Sequence, residues 1–241
     1  MPAAPAPSER SAVIRDGIGV GIATGLYGTS FGAVAVASGL SVAQTCVLSL
    51  LMFTGASQFA LVGVLGAGGT PVAASLTALL LGSRNTLYGL RVAPLLGWSG
   101  VRRAAAAQLL LDESTAMTVN RPTRDLARAG YLATGVSVFV LWNVFTLVGA
   151  VAGTTLGEPR TYGLDAAVGA AFLALLWPRL SDRRNQLVAL GAVAVALGLV
   201  PVAAAGVPVL AAAGVALLVG ALSRRPDPTE IPSPPARRGP R

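Results

Sequence analysis

Sixty-seven consecutive residues, 17–83, carry no charge, and a second such run covers the 39 residues 185–223. A soluble fold cannot go that far without charged surface. An ordinary domain carries roughly a quarter of its residues as Asp, Glu, Lys or Arg; here the share is 12%, against 54% hydrophobic residues. That leaves too little polar surface to cover a globule, and the mean hydropathy of +0.68 agrees. The chain reads as a membrane protein.

A helix needs about 20 apolar residues to cross ~30 Å of hydrocarbon, so the first run holds more than two crossings. Turn residues near 39–41 and 66–71 divide it, giving segments at 17–39, 42–65 and 72–97. Further segments follow at 104–119, 130–153, 164–178, 185–201 and 207–222, of which 104–119 and 164–178 fall short of a full crossing. The expected fold is all-α: a polytopic helical bundle of about seven or eight transmembrane segments, some short or broken. Residues 1–16 and 223–241 are rich in Pro, Arg and small polar residues and are expected to be disordered cytoplasmic ends around a transmembrane domain at 17–222. The first apolar run is too long for the core of a cleaved signal peptide.

Counting Arg tests the orientation. All 18 basic residues are Arg. If every segment crosses and the N-terminus is cytoplasmic, thirteen Arg fall inside and three outside (Arg102, Arg103 and Arg160), with Arg84 and Arg91 within a span. This fits the excess of positive charge in cytoplasmic loops and makes the cytoplasmic membrane, with both termini inside, the expected location. The Arg102–Arg103 pair is the discordant loop, so the third or fourth segment need not be a plain crossing. The net charge of +8 marks topology and not nucleic acid, because no soluble face gathers it.

The same inventory removes several chemistries. There is no His, and the single Cys46 lies in an apolar run. Ser-His catalysis, His-ligated metal and thiolate clusters are excluded. Without Lys there is no Walker-type phosphate loop. Neither an enzyme nor a resident metal or cofactor is expected.

Three polar clusters stand out against the apolar background. The first is Gly55-Ala56-Ser57-Gln58-Phe59. Gln58 either seals a helix contact with one hydrogen bond or, with Thr54 and Ser57, lines a polar path. The second runs from Gly82 to Arg91 and holds Arg84, Asn85 and Tyr88. Its Arg residues either snorkel to an interface or, in Arg84, hold a carboxylate; Arg84 and Tyr88, four apart, share a helical face, and Arg91 roughly shares it. The third is Asp112-Glu113. It marks either an interfacial break or an acid that pairs with Arg84 or Arg91, or one that carries a proton. Trp142, Asn143, and Tyr27 between Gly25 and Gly28 are weaker signals, explained by packing or a kink. No internal repeat is convincing in sequence, although an inverted repeat can hide under this composition.

With these clusters in view, the chain resembles the AzlC family, the large subunits of branched-chain amino-acid permeases and exporters associated with azaleucine resistance. The resemblance runs over 17–222. It rests on Phe53-Thr54-Gly55-Ala56-Ser57-Gln58-Phe59, on Arg84-Asn85-Thr86-Leu87-Tyr88-Gly89 and on Asp112-Glu113. The family pattern has His where this chain has Asn85, and Thr where it has Leu111, so a proton route through that His is closed here. The resemblance implies export of Leu, Ile, Val and related hydrophobic amino acids by a secondary transporter, with a small AzlD-type membrane subunit as partner and a proton as candidate coupling ion. Substrate-binding or coupling candidates are Ser57, Gln58, Arg84, Asn85, Tyr88, Asp112 and Glu113. Uptake, or a purely assembling membrane subunit, are the alternatives.

Overall fold

The computed structural model describes residues 7–156, 173 and 176–222, and among them all regular structure is helical. The expected segment at 164–178 lies outside the described residues, apart from residues 173 and 176–178. α1 (Pro7–Leu26) and α2 (Gly28–Ala37) form one kinked rod. It begins ten residues before the expected start at 17, because Pro7 opens the helix and Glu9 lies in its first turn, both favourable there. The kink falls at Tyr27, as its glycine neighbours suggest.

Against this rod lies α9 (Arg124–Leu156), the longest helix. These two, over Ser8–Ala37 and Arg124–Thr155, are the helices long and apolar enough by themselves to cross a membrane among the described residues. Their backbones approach closely because glycines stand at the contact: a Cβ on Gly21 would strike Ser137, on Gly28 Trp142, on Gly32 Thr146, and on Gly149 Thr29. Spaced three or four apart, such small residues line one helix face. Partner numbers rise together along both helices, so α1–α2 and α9 are parallel. The outer side of α9 shows Leu132, Val136, Val140, Val144 and Val151, each 41–51% exposed, the first three flanking α1 beside Ile14 and Ile18. That apolar stripe suits lipid and not water.

Parallel packing requires the intervening chain to return. α3 (Val42–Leu51) opens with a capping box, in which Ser41 N–H donates to Gln44 Oε1 at 2.8 Å and Gln44 N–H to Ser41 Oγ at 3.2 Å. It descends beside α9, where Ser49 Oγ meets Thr146 Oγ1 at 3.5 Å. The chain then breaks, and α4 (Ala56–Gly66) climbs back. Phe59 packs edge-on against Phe31 with centroids 5.4 Å apart, and Gly66 ends against Ser38, just past the end of α2. α3 and α4 thus form a hairpin that enters from the end of the molecule where α2 finishes (the apical end) and returns to it. The expected crossing over 42–65 is corrected accordingly.

α5 (Pro71–Gly82) starts at the apical end, capped by Thr70, whose Oγ1 accepts from Ala73 N–H at 3.2 Å. α6 (Arg84–Leu96) continues it through Ser83, which keeps helical angles. The rod ends at the opposite, basal end, where Arg128 Nε donates to the Leu96 carbonyl at 2.8 Å and Arg124 lies against Gly97. α7 (Gly100–Ala107) then rises past Tyr131, whose hydroxyl donates to the Ala106 carbonyl at 2.6 Å. After a second break, α8 (Asp112–Ala116) descends, and the Met117 carbonyl closes on Gly130. The segment expected to cross at 104–119 is a second hairpin, entering from the basal end.

A 3₁₀ turn (Trp177–Ser181) precedes α10 (Arg183–Leu199) and α11 (Val207–Leu222), which pair with each other. The connection between them lies at the apical end, with Ala205 against Gly69 and Gly206 against Ala73.

The two hairpins are related by an inverted repeat that the sequence does not display. Tyr27 and Ser83, the two rod kinks, are 56 positions apart, and so are the first residues of α4 and α8, Ala56 and Asp112. Rod and apical hairpin (α1–α4) are followed by rod and basal hairpin (α5–α8) running the other way.

Candidate functional site

The hairpin tips meet beside the middle of α9. Phe53, Leu111, Val138 and Trp142 share one buried cluster with Phe31 and Phe59. Unravelled backbone in such a place must find partners, and the residues around each break supply them.

In the first break, Gly55 adopts φ +62°, ψ −87°. Gln58, fully buried, accepts from Gly55 N–H through Oε1 at 3.2 Å and donates through Nε2 to the Leu48 carbonyl at 3.5 Å. Each end of its amide therefore makes one hydrogen bond to the hairpin's own backbone. Gln58 thus staples the tip, the hydrogen-bonded helix contact that is one of the two roles the sequence offers for it.

The second break repeats the device. Leu111 N–H donates to Ser114 Oγ at 2.9 Å, and that hydroxyl donates to the Leu109 carbonyl at 2.7 Å. Gln108 Nε2 donates to the Leu50 carbonyl at 2.8 Å, tying one tip to the other. Asn85, at the start of α6, donates to the Leu110 carbonyl at 3.3 Å. Asn85 thus supports the basal tip. Ser114 and Gln108 escaped the sequence reading; for Ser114 the signal was its place three residues after the helix-preceding Leu111, the spacing that Gln58 has from Gly55.

Arg84, Tyr88 and Asp112 come together as the helical spacing of the first two allows. Arg84 Nη2 lies 2.8 Å from Asp112 Oδ2, and the Tyr88 hydroxyl donates to Asp112 Oδ1. The Arg84 and Asp112 side chains are 30% and 27% exposed, so the pair is screened but not isolated. The carboxylate held by Arg84 is that of Asp112 and not of Glu113, which is half-buried one position on. Arg91 is exposed and takes no part in the pair.

Around the tips, several buried polar atoms have no hydrogen-bond partner among the described residues: Thr54 Oγ1, Ser57 Oγ, Arg84 Nε, Trp142 Nε1 and Asn143 Oδ1. Ser57 is fully buried on the first turn of α4, and its hydroxyl faces Gly82, whose Cβ would lie 3.3 Å away. Trp142, 3% exposed, packs against Tyr27, Phe31 and Phe59 with ring centroids 6.1–6.2 Å apart. An unpaired buried donor costs about 1–3 kcal/mol. Several in one neighbourhood call for partners, water or a polar solute, that the described residues do not supply.

Comparison with known proteins places this arrangement. The family model described as AzlC protein matches residues 19–156, more than half of the chain. A protein of Archaeoglobus fulgidus described as an uncharacterized membrane protein is 31% identical over 169 residues, covering 69% of this chain and 74% of its own. A Haemophilus influenzae protein with the same description is 23% identical over 175 residues, covering 70% and 71%. No solved structure matches. With its apolar outer faces and its matched rods and hairpins, the chain belongs to the AzlC family of membrane proteins, a family associated with transport.

Proposed function

We propose that this protein exports branched-chain and related hydrophobic amino acids across the cytoplasmic membrane, as the large subunit of a two-component secondary transporter whose other part is a small AzlD-type membrane subunit. The observation that carries the reading is the meeting of two oppositely directed hairpins around a half-buried Arg84–Asp112 pair and a set of unpaired polar atoms. Broken helices whose ends converge near the bilayer midplane, related by an inverted repeat, are the usual setting of a secondary transporter's solute site. Intramembrane ionisable residues are costly and mark solute or ion pathways. The substrate class comes from the family.

On this reading the rods α1–α2 and α5–α6, with α9, α10 and α11, cross the membrane, while the hairpins enter from opposite sides. The basal end is cytoplasmic, because Arg10, Arg15, Arg102, Arg103, Arg121, Arg124 and Arg128 all belong to it. On this reading Asp112, held by Arg84 and Tyr88, is the candidate for coupling solute movement to a proton.

The test is accumulation in cells loaded with Leu-, Ile- or Val-containing dipeptides, with and without this protein and its small subunit. Expression lowers intracellular branched-chain amino acids and raises them outside. Equal accumulation in both strains rejects export; faster net uptake of the free amino acids assigns the opposite direction.

A further inference from the structure

A cavity of about 750 Å³ lies between α4, α5 and the connection from α10 to α11. α4 gives it Ala60, Gly63 and Val64, α5 gives Thr77 and Leu81, and Pro208 bounds it where α11 begins. Thr77 carries the one polar side chain among the described residues that line it, and its hydroxyl already donates to the Ala73 carbonyl at 2.8 Å. The walls therefore offer an occupant apolar contact and no free hydrogen-bonding side chain. The size is within the roughly 300–1,000 Å³ of small-molecule sites. Part of the room comes from Gly63, where a Cβ would meet nothing within 4 Å.

The cavity leads toward the hairpin tips. On α4, Ala60 and Val64 share a helical face with Ser57, one turn closer to the first break. On the second rod, which keeps helical angles through Ser83, Thr77 and Leu81 are followed at the same spacing by Arg84. Ser57 Oγ and Arg84 Nε are both buried and without a hydrogen-bond partner among the described residues. The apolar space thus ends about one turn from polar groups that lack partners. A lipid tail has nothing to offer such groups, whereas an amino acid brings an apolar and a polar part together. We infer that this cavity seats the aliphatic side chain of the transported amino acid, with Ala60 and Gly63 setting the size of side chain it accepts. The inference rests on the amino-acid transport reading and adds the place where the solute's side chain is measured.

The experiment follows L-leucine uptake into everted membrane vesicles containing the chain and its small subunit. Unlabelled L-leucine and L-2-aminobutyrate, whose side chain is two carbons smaller, are the competitors. Each buried methylene is worth about 4-fold in affinity, so in the wild type leucine competes at least about 10-fold better. Gly63→Leu, compared at equal membrane abundance, raises the KM for leucine about 10-fold or more and cuts the preference for leucine below about 3-fold, while Gly63→Ala retains both. An unchanged preference in Gly63→Leu, or an equal loss for the two solutes, overturns the cavity assignment and leaves amino-acid transport standing. A second measurement covers failure of Gly63→Leu to fold. In a Cys46→Ser background, saturating leucine slows N-ethylmaleimide labelling of Gly63→Cys at least about 5-fold, and the same concentration of 2-aminobutyrate does not. Labelling at one rate with and without leucine overturns the assignment. Failure of the wild type to move leucine overturns the transport reading and the assignment with it.

Discussion

Arg84 and Asp112 form the one ion pair that joins two elements among the described residues, and their value is in being paired. Removing one partner leaves the other charge in poorly hydrated surroundings; a fully buried pair broken this way costs about 3–5 kcal/mol, and a pair about one-third exposed costs less, about 1–3 kcal/mol. Arg84→Gln and Asp112→Asn should therefore each lower the melting temperature of the detergent-solubilised protein and reduce leucine efflux at least about 10-fold. The double variant separates the two effects. With both charges gone the stability loss should largely disappear while efflux stays low, which a melting curve and an efflux assay on the same preparation will report. Restored efflux in the double variant would make the pair purely structural. The spacing of Arg84 and Tyr88 was readable in the sequence, because four residues along a helix put two side chains on one face. Their partner was not, since Asp112 and Glu113 are adjacent and only the place of the second break decides which one reaches α6.

At the scale of elements, the breaks depend on glycine and on staples. Gly55 at φ +62°, ψ −87° holds a conformation that side-chain-bearing residues rarely adopt. Gly55→Ala should cost about 1–3 kcal/mol, seen as a lower melting temperature. Gly63→Ala, in the same helix where a Cβ meets nothing within 4 Å, should be neutral or slightly stabilising. Equal melting temperatures for the two variants would mean that the tip tolerates a Cβ. Between rods, Gly21→Val should be worse than either, because the added atoms meet Ser137 on α9 and the parallel contact must open. Here sequence reasoning stopped at Gly25 and Gly28 as neighbours of Tyr27, explained by packing or a kink. The Gly17–Gly21–Gly25–Gly28–Gly32 spacing was present, but a repeat of glycines names a close approach without naming the helix that approaches.

For the whole molecule, the two arrangements of the chain make opposite statements about the same loops. Hydropathy cannot tell 24 residues that cross from 24 that enter and return, because both are apolar helix over the same length; only contacts such as Gly66 with Ser38 distinguish them. If residues 42–65 and 104–119 both crossed, the loop at 66–71 would share a side with the N-terminus and the loop at 97–100 would not. With hairpins the assignments exchange, and Arg102 and Arg103 join Arg10, Arg15, Arg121, Arg124 and Arg128 at one end. The pair that contradicted the all-crossing layout was thus, with the shortness of 104–119, the sequence's sign of a re-entrant segment. Single cysteines placed in a Cys46→Ser background decide it. An impermeant maleimide applied to intact cells should label Thr70→Cys and leave Ser99→Cys untouched until the membrane is permeabilised. Thr123→Cys serves as a control that both layouts put inside, and Ser41→Cys as one that both put outside. The reverse pattern at Thr70 and Ser99, with both controls behaving, would restore two plain crossings and remove the opposed hairpins on which the transport site depends.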